Sequence, residues 1–506
     1  MSIFWPSAPA YAETHFKFKL PWSLLYRPWP EVFADAPFQF VPGVVPFFFL
    51  VVRDGDRFPV KVCSAEVALK SGSALTSKKF ELDLKPASAL EFHELQLGEL
   101  APGTYEARVK IALEKQGKLK LVDRWNYPGL RPRPLKFEVL AEEPPKPEGF
   151  LVGETHCHTS YSSDHVEFGA TPKVLQRAAS AVGLDFVCLT DHAYDFAFKK
   201  DAYTEAASPA PRFDELRREV SELAGRPLML PGEEVSVGNS KGENVHMLVF
   251  APKEYLPGLG DCGRYWFENH PTKKISQLLK ETEAHCFAAH PRQLMGELER
   301  FVFRRGYWSS ADLFQGTAHP VRGLQFWNGV RDEGFYLGRQ LWLEELGKGN
   351  FLLPLGGNDA HGDLNCTTSV KLPLLRLRAT RNHIFGKVRT GIQCGELSVE
   401  ALTAAFAGGN CFATEGPALS WERSGRNVVF HAKSTGRMGP FRYIRIFGRK
   451  LLPNGDLSEA EELHGESRVA AAIETHITAK PEDFAYLRAE AETANGKFAL
   501  TSAAKL

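Results

Sequence analysis

Apolar and polar residues alternate with a period of two through the first part of the chain. Phe80-Glu81-Leu82-Asp83-Leu84 and Tyr105-Glu106-Ala107-Arg108-Val109-Lys110-Ile111 both carry this pattern. It predicts strands with one buried and one solvated face. Ala101-Pro102-Gly103-Thr104 supplies a turn before the second of them. Short strands separated by turns predict an Ig-like β-sandwich over 1–145. The connector Glu142-Glu143-Pro144-Pro145-Lys146-Pro147-Glu148-Gly149 is stiff and poor in apolar groups, and it marks the first boundary.

From 150 to about 415 the period changes. Thr171-Pro172 reads as a helix cap followed by proline in the first turn, Val174, Leu175, Ala178, Ala179 and Val182 form one apolar face, and Gly183 stops the helix. Further helices fit Phe213 to Leu223, Ile275 to Ala284 and Phe335 to Leu346. Short apolar runs lie between them: Phe186 to Leu189, Leu228 to Leu230, Val245 to Phe250, Cys286 to Ala289, Leu324 to Trp327 and Phe351 to Leu355. Strands alternating with helices predict a mainly parallel α/β domain, barrel-like, over 150–415. After the helix Ser398 to Ala407, alternation returns in Val428 to Ala432 and Tyr443 to Phe447, predicting a small C-terminal β domain over 416–506.

Composition narrows the function. The 506 residues carry equal numbers of acidic and basic groups, so the formal net charge is zero. That excludes nucleic-acid binding through bulk charge. The longest apolar run, Val44 to Val52, contains Pro46 and is too short to span a bilayer. The eight cysteines form no Cys-x-x-Cys pair, so reduced thiols and a cytoplasmic location are expected. Ala8-Pro9-Ala10-Tyr11-Ala12 is a weak processing cue that leaves export as the minor alternative.

The chemistry collects at predicted strand ends. His156 and His158 close the Phe150-Leu151-Val152 run and, on a strand, face the same side. Asp191 and His192 follow the Phe186 strand, Glu233 and Glu234 the Leu228 strand, His290-Pro291-Arg292 the Cys286 strand, and Asp359-Ala360-His361 the Phe351 strand. His246 begins its strand, which suits a short or antiparallel one. Together with Asp164 these give His156, His158, Asp164, His192, Glu234, His246, His290, Asp359 and His361 as metal ligands. That is too many for one tetrahedral zinc and suits two or three divalent ions. Asp191 is a candidate general base or positioning group, and Arg292 a candidate clamp for a substrate oxyanion.

The ordered set His156-x-His158, Thr190-Asp191-His192, Pro231-Gly232-x-Glu234, His246, His290-Pro291 and Asp359-x-His361 resembles the motifs of the PHP (polymerase and histidinol phosphatase) superfamily. The resemblance covers about 150–415. It implies a distorted (β/α)7 barrel, a centre of Zn, Mn, Fe or Mg, and phosphoester hydrolysis of a small molecule by a metal-activated water. The β-rich flanks and Ala413-Thr414-Glu415-Gly416-Pro417 resemble the stand-alone branch that includes carbaryl hydrolases. Carboxyl or carbamate ester hydrolysis, and a non-catalytic binding module, are the alternatives.

The chain departs from the family pattern at Glu154, where aspartate is usual, and at Asn358, where serine is usual. Asp164 lies one residue further from the histidine pair than the pattern has it, leaving Asp164 or His165 as the ligand, and Glu233 rivals Glu234. Arg304 and Arg305 read as a solvated helix face. His270, His285, His319 and His383 read as structural, and Cys157 as a packing residue. Tyr255 to Thr272 is a candidate loop over the site.

Overall fold

The computed structural model describes residues 29–506 apart from 127–131, 163–168, 200–201, 207–209, 263–268, 315–319, 363, 366, 372–375, 426, 451, 453–456, 467–473 and 480–483. The N-terminal part holds two antiparallel-rich sheets. One joins Glu31–Asp35, Phe47–Arg53 and Leu90–Gln96; the other is built around Lys61–Ser71 and Gly103–Lys115. Their inner faces share one apolar core that includes Phe47, Val62, Val67, Val109 and Phe137.

Seven strands carry the middle of the chain. They are β1 (Phe150–His158), β2 (Phe186–His192), β3 (Leu228–Gly238), β4 (Asn244–Phe250), β5 (His285–Ala289), β6 (Gly323–Asn328) and β7 (Leu353–Gly357), side by side in that order. Helix α1 (Pro172–Val182) links β1 to β2. Its cap is the Thr171 hydroxyl accepting from the Val174 N–H at 3.4 Å, and Gly183 ends it at φ +80°. Its buried face is Val174, Leu175, Ala178, Ala179 and Val182, the apolar set read from the sequence. Helices α2 (Pro211–Glu222), α3 (Ile275–Glu281) and α4 (Glu333–Gly347) cross between later strands.

The expected (β/α)7 barrel is corrected by this architecture. Strand makes up 45% of the structure and helix 16%, a mostly β composition with several sheets. Strict strand–helix alternation breaks at β3, which turns through Asn239 and Gly242 directly into antiparallel β4; β4 and β5 are also antiparallel. The layer does not stop at β7. Strand β1 pairs antiparallel with Arg389–Gln393, which pairs with Cys411–Thr414, which pairs with Phe498–Thr501. One 15-stranded sheet thus runs from the middle of the chain across 415–416 into the C-terminal part. The sequence pattern located strands correctly in the middle region, but apolar runs carry no record of which strands pair or in which direction. The antiparallel course of β4 explains why His246 sits at its start while the other candidate ligands follow strand ends. Among the described residues no helix is long and apolar enough to cross a membrane.

Candidate metal centre

Eight of the nine predicted ligands come together; Asp164 and its rival His165 lie outside the described residues. Glu234 is the hub. Its Oε2 lies 3.3 Å from His156 Nε2, 3.2 Å from His158 Nε2 and 3.1 Å from His192 Nδ1. Its Oε1 lies 2.7 Å from His246 Nδ1 and 3.0 Å from His290 Nε2. Asp359 Oδ1 adds contacts of 3.4 Å to His156 Nε2 and 3.2 Å to His158 Nε2. His361 stacks on His158 with ring centres 3.9 Å apart. Three groups bring donor atoms within 4.8 Å of one another: His158, His192 and His361; His156, His158, Glu234 and Asp359; and His192, Glu234 and His246.

The tautomers can be worked out from the surroundings. Gln325 Nε2 donates to the Trp327 carbonyl at 3.1 Å, and Gln325 Oε1 accepts from the His290 N–H at 3.0 Å. Gln325 Oε1 is therefore the atom facing His156 Nδ1 at 3.2 Å, and that nitrogen must donate. The Ser162 hydroxyl donates to Asp191 Oδ1 at 2.7 Å and accepts from the His192 N–H at 3.2 Å. His158 Nδ1, 3.0 Å from the same hydroxyl, is then a donor too. With both Nδ1 atoms protonated, the neutral rings turn bare Nε2 lone pairs toward each other at 3.3 Å. Two carboxylate oxygens close on the same point. Such a convergence of lone pairs and negative charge favours a positive charge, a proton or a metal ion, and the N/O donor set fits Zn, Mn or Fe.

The electrostatics agree. Burial would push the His156 imidazolium down, but Glu234 and Asp359 outweigh it and raise the pKa to about 9. Burial and the neighbouring His361 and His192 push His158 down. A proton on His156 is thus the positive charge that the protein's own groups supply, and a divalent ion competes for that place. Burial would raise Glu234 and Asp359, yet the surrounding imidazoles hold both well below the usual carboxylate range.

Local geometry aims these groups. Asp359 (φ +52°) and His290 (φ +26°) are non-glycine residues in the left-handed region, costing of order 1 kcal/mol each. Each is pinned through its N–H, Asp359 to the His156 carbonyl at 2.7 Å and His290 to Gln325 Oε1 at 3.0 Å. Gly357 lets β7 pass β1, because a Cβ there would stand 2.8 Å from that of His156.

The remaining candidates separate. Asp191 accepts from the Thr159 N–H (2.7 Å), the Ser162 N–H (2.9 Å), the Ser162 hydroxyl and the Thr159 hydroxyl (2.9 Å). It holds the turn after β1 and, through Ser162, orients His158; it is a positioning residue. Glu233 points elsewhere and accepts from the Leu256 N–H at 2.9 Å, leaving Glu234 at the hub. Arg292 is half-buried and does not line the cavity of about 420 Å³ beside the cluster. Arg305 does line it, with Nε 2.7 Å from Asp261 Oδ2 and Nη2 3.4 Å from His246 Nε2. Asp261 in turn lies 2.9 Å from His246 Nε2. Sequence reasoning missed both roles. Asp261 lies in the segment read as a loop over the site, which was the one available signal, and Arg305 was read as solvent-facing. His383 donates to the Asn358 carbonyl at 2.8 Å, and Cys157 packs in the apolar core; His319 lies outside the described residues.

Glu154 and Asn358, the two departures from the family pattern, touch each other. Glu154 Oε2 accepts from the Asn358 side-chain amide, and Oε1 accepts from the N–H groups of His156 (3.0 Å) and Asn358 (2.9 Å). Asn358 also pairs with both backbone groups of Val388.

No family model and no curated protein matches the chain. Among solved structures it is similar to the β-D-mannosidase of Dictyoglomus thermophilum at 9% identity and TM-score 0.25, covering 94% of this chain and 66% of that one. It is also similar to a β-glucuronidase of Parabacteroides merdae (8%, TM-score 0.18, 94% of this chain and 76% of that one). A glycosyl hydrolase family 2 member of Bacteroides cellulosilyticus gives 10% and TM-score 0.17, covering 94% of this chain and 78% of that one. Likeness at this level establishes neither a shared fold nor a shared activity.

Proposed function

We propose that the chain is a metal-dependent hydrolase of small esters, with phosphoesters as the first substrate class. The observation that carries this reading is the convergence of His156 Nε2 and His158 Nε2 with Glu234 Oε2 and Asp359 Oδ1 at one point. Glu234 presents its two oxygens to two different sets of imidazoles, so it could contribute to holding more than one ion. The ordered ligand motifs, which resemble the PHP superfamily, support the same chemistry. Divalent ions held there would lower the pKa of water towards neutrality and polarise an ester.

The chain's own residues do the rest. His156, His158, His192 and His361 with Glu234 and Asp359 form the binding face, and Asp191 and Ser162 fix the His158 tautomer. Burial lowers the His246 imidazolium, but Glu234 and Asp261 outweigh it and favour its protonated form at the cavity wall. Arg305 places its guanidinium beside that proton, where it meets negative charge developing on a substrate oxygen.

The test is paired hydrolysis of p-nitrophenyl phosphate and p-nitrophenyl acetate by manganese-loaded protein and its His156→Ala/His158→Ala variant. Phosphate release by the wild type alone is the expected result; undiminished turnover in the variant sinks the reading. A second reading, carboxyl or carbamate ester hydrolysis, rests on the cavity wall. Val245, Leu294, Met295, Phe303 and Trp308 are apolar, and Arg305 is already engaged by Asp261. Acetate turnover without phosphate release would establish that reading instead.

A further inference from the structure

A second cavity, of about 700 Å³, lies where the N-terminal sheet, the 381–389 segment and the C-terminal part meet. Its lining gathers Lys136, Arg381, Lys387, Arg437 and Lys497 with fewer carboxylates. Glu415 binds Arg331, which does not line the cleft, at 3.2 Å; Glu138 offsets Arg437 within the cleft, and Glu142 accepts from the Gly436 N–H at 2.9 Å. Lys387 and Lys497 are half-buried. The Lys387 ammonium lies 3.5 Å from the Arg381 carbonyl, and no carboxylate of the described residues comes within ion-pair distance of either lysine.

We infer that this cleft binds a small anion bearing phosphate or carboxylate oxygens, with Lys387 and Lys497 as its principal contacts. Two ammonium groups drawn out of water beside further cations are unfavourable unless an anion joins them. Their titration agrees: burial is the largest cause and lowers both lysines, Glu415 opposes it, and nearby cations, Lys497 and Arg381 for Lys387 and Arg437 for Lys497, add to the lowering. A cavity of this size admits a metabolite-sized molecule. The inference is independent of the metal chemistry, since none of the metal ligands lines the cleft.

The experiment is calorimetric titration of the full chain with inorganic phosphate and, separately, with succinate, in chloride buffer. Wild type is compared with Lys387→Met/Lys497→Met and with His156→Ala/His158→Ala. Binding retained in the histidine variant and weakened at least about tenfold in the lysine variant is the expected result. A preference for phosphate assigns a phosphate-bearing ligand, and a preference for succinate a carboxylate. Unchanged affinity in the lysine variant overturns the inference, as does affinity lost only in the histidine variant, or no heat with either anion up to about 10 mM. A melting curve keeps the test valid if the variant folds poorly. Without anion, removing like charges should hold or raise Tm, and the anion should raise Tm in wild type alone. A variant that melts lower and is still stabilised by anion as much as wild type counts against the cleft.

Discussion

Two buried polar clusters in this molecule look alike in composition and differ in balance. In the C-terminal part, Glu490 is 6% exposed and lies between the guanidinium groups of Arg488 and Arg339. Arg488 also spreads over the rings of Phe447 and Trp342, 4.4 and 5.6 Å from their centres. Burial would raise the Glu490 carboxyl, but the two arginines hold it below its ordinary value. Every strong charge there faces its opposite. Around Glu234, His156 and His158 direct their Nδ1 protons outward, to Gln325 and Ser162, so their Nε2 atoms face one another and the carboxylates. The first cluster is complete as protein. The second gathers a donor set that could hold a metal ion. Counting buried charges does not separate them; tracing each proton does.

The sharpest break of this comparison is removal of His156 and His158 together. Metal content measured after manganese or zinc loading should fall to background. The wild type should gain about 4 kcal/mol of stability at a metal concentration a thousand times Kd, and the variant none. Equal stabilisation of both would place the cation elsewhere. Glu490→Ala should cost about 3–5 kcal/mol in urea unfolding, because it leaves the buried Arg488 and the half-buried Arg339 guanidinium groups without their carboxylate, while metal affinity stays unchanged. A loss of metal binding there would show the clusters are coupled.

Asp35 sharpens the comparison from a third side, since its cations are too few. Burial outweighs Arg124 and the Leu364 N–H, and the pKa rises from 3.8 to about 6. The folded state then binds more protons than the unfolded state between those values, so stability falls as pH rises through that window, by up to about 3 kcal/mol. Asp35→Asn should flatten the slope of unfolding free energy between about pH 4 and 6; an unaltered slope would assign it to other groups. The smallest effect is expected at Asp191→Asn. Metal affinity should weaken about 10- to 100-fold with little change in Tm, since the residue orients His158 rather than binding the ion. Complete loss of binding would instead make Asp191 a ligand.

The residues that converge around Glu234 were legible because histidines and carboxylates just past apolar runs are local patterns. Helix α1 was legible for the same reason, with its cap, proline and stop glycine all within the segment. What the sequence hid was long-range. The direction of β4 depends on a turn at Asn239–Gly242, and the continuation of the sheet depends on partners more than two hundred residues away. Asp261 and Arg305 reach His246 only after folding brings three segments together. Glu154 and Asn358 looked like two separate departures, yet they are one contact. Asp191 sits in a metal motif but spends its oxygens on the turn beside it.

The continuous sheet has one further consequence, for how the chain can be divided. Cys411–Thr414 is flanked on one side by Arg389–Gln393 and on the other by Phe498–Thr501. A chain ending at 415 would strip that second neighbour and bare a row of N–H and C=O groups along an apolar strand, ready to pair with another copy. Such a fragment should scatter light and precipitate where the full chain does not. The last ninety or so residues then act less as an appendage than as the seal on an open margin.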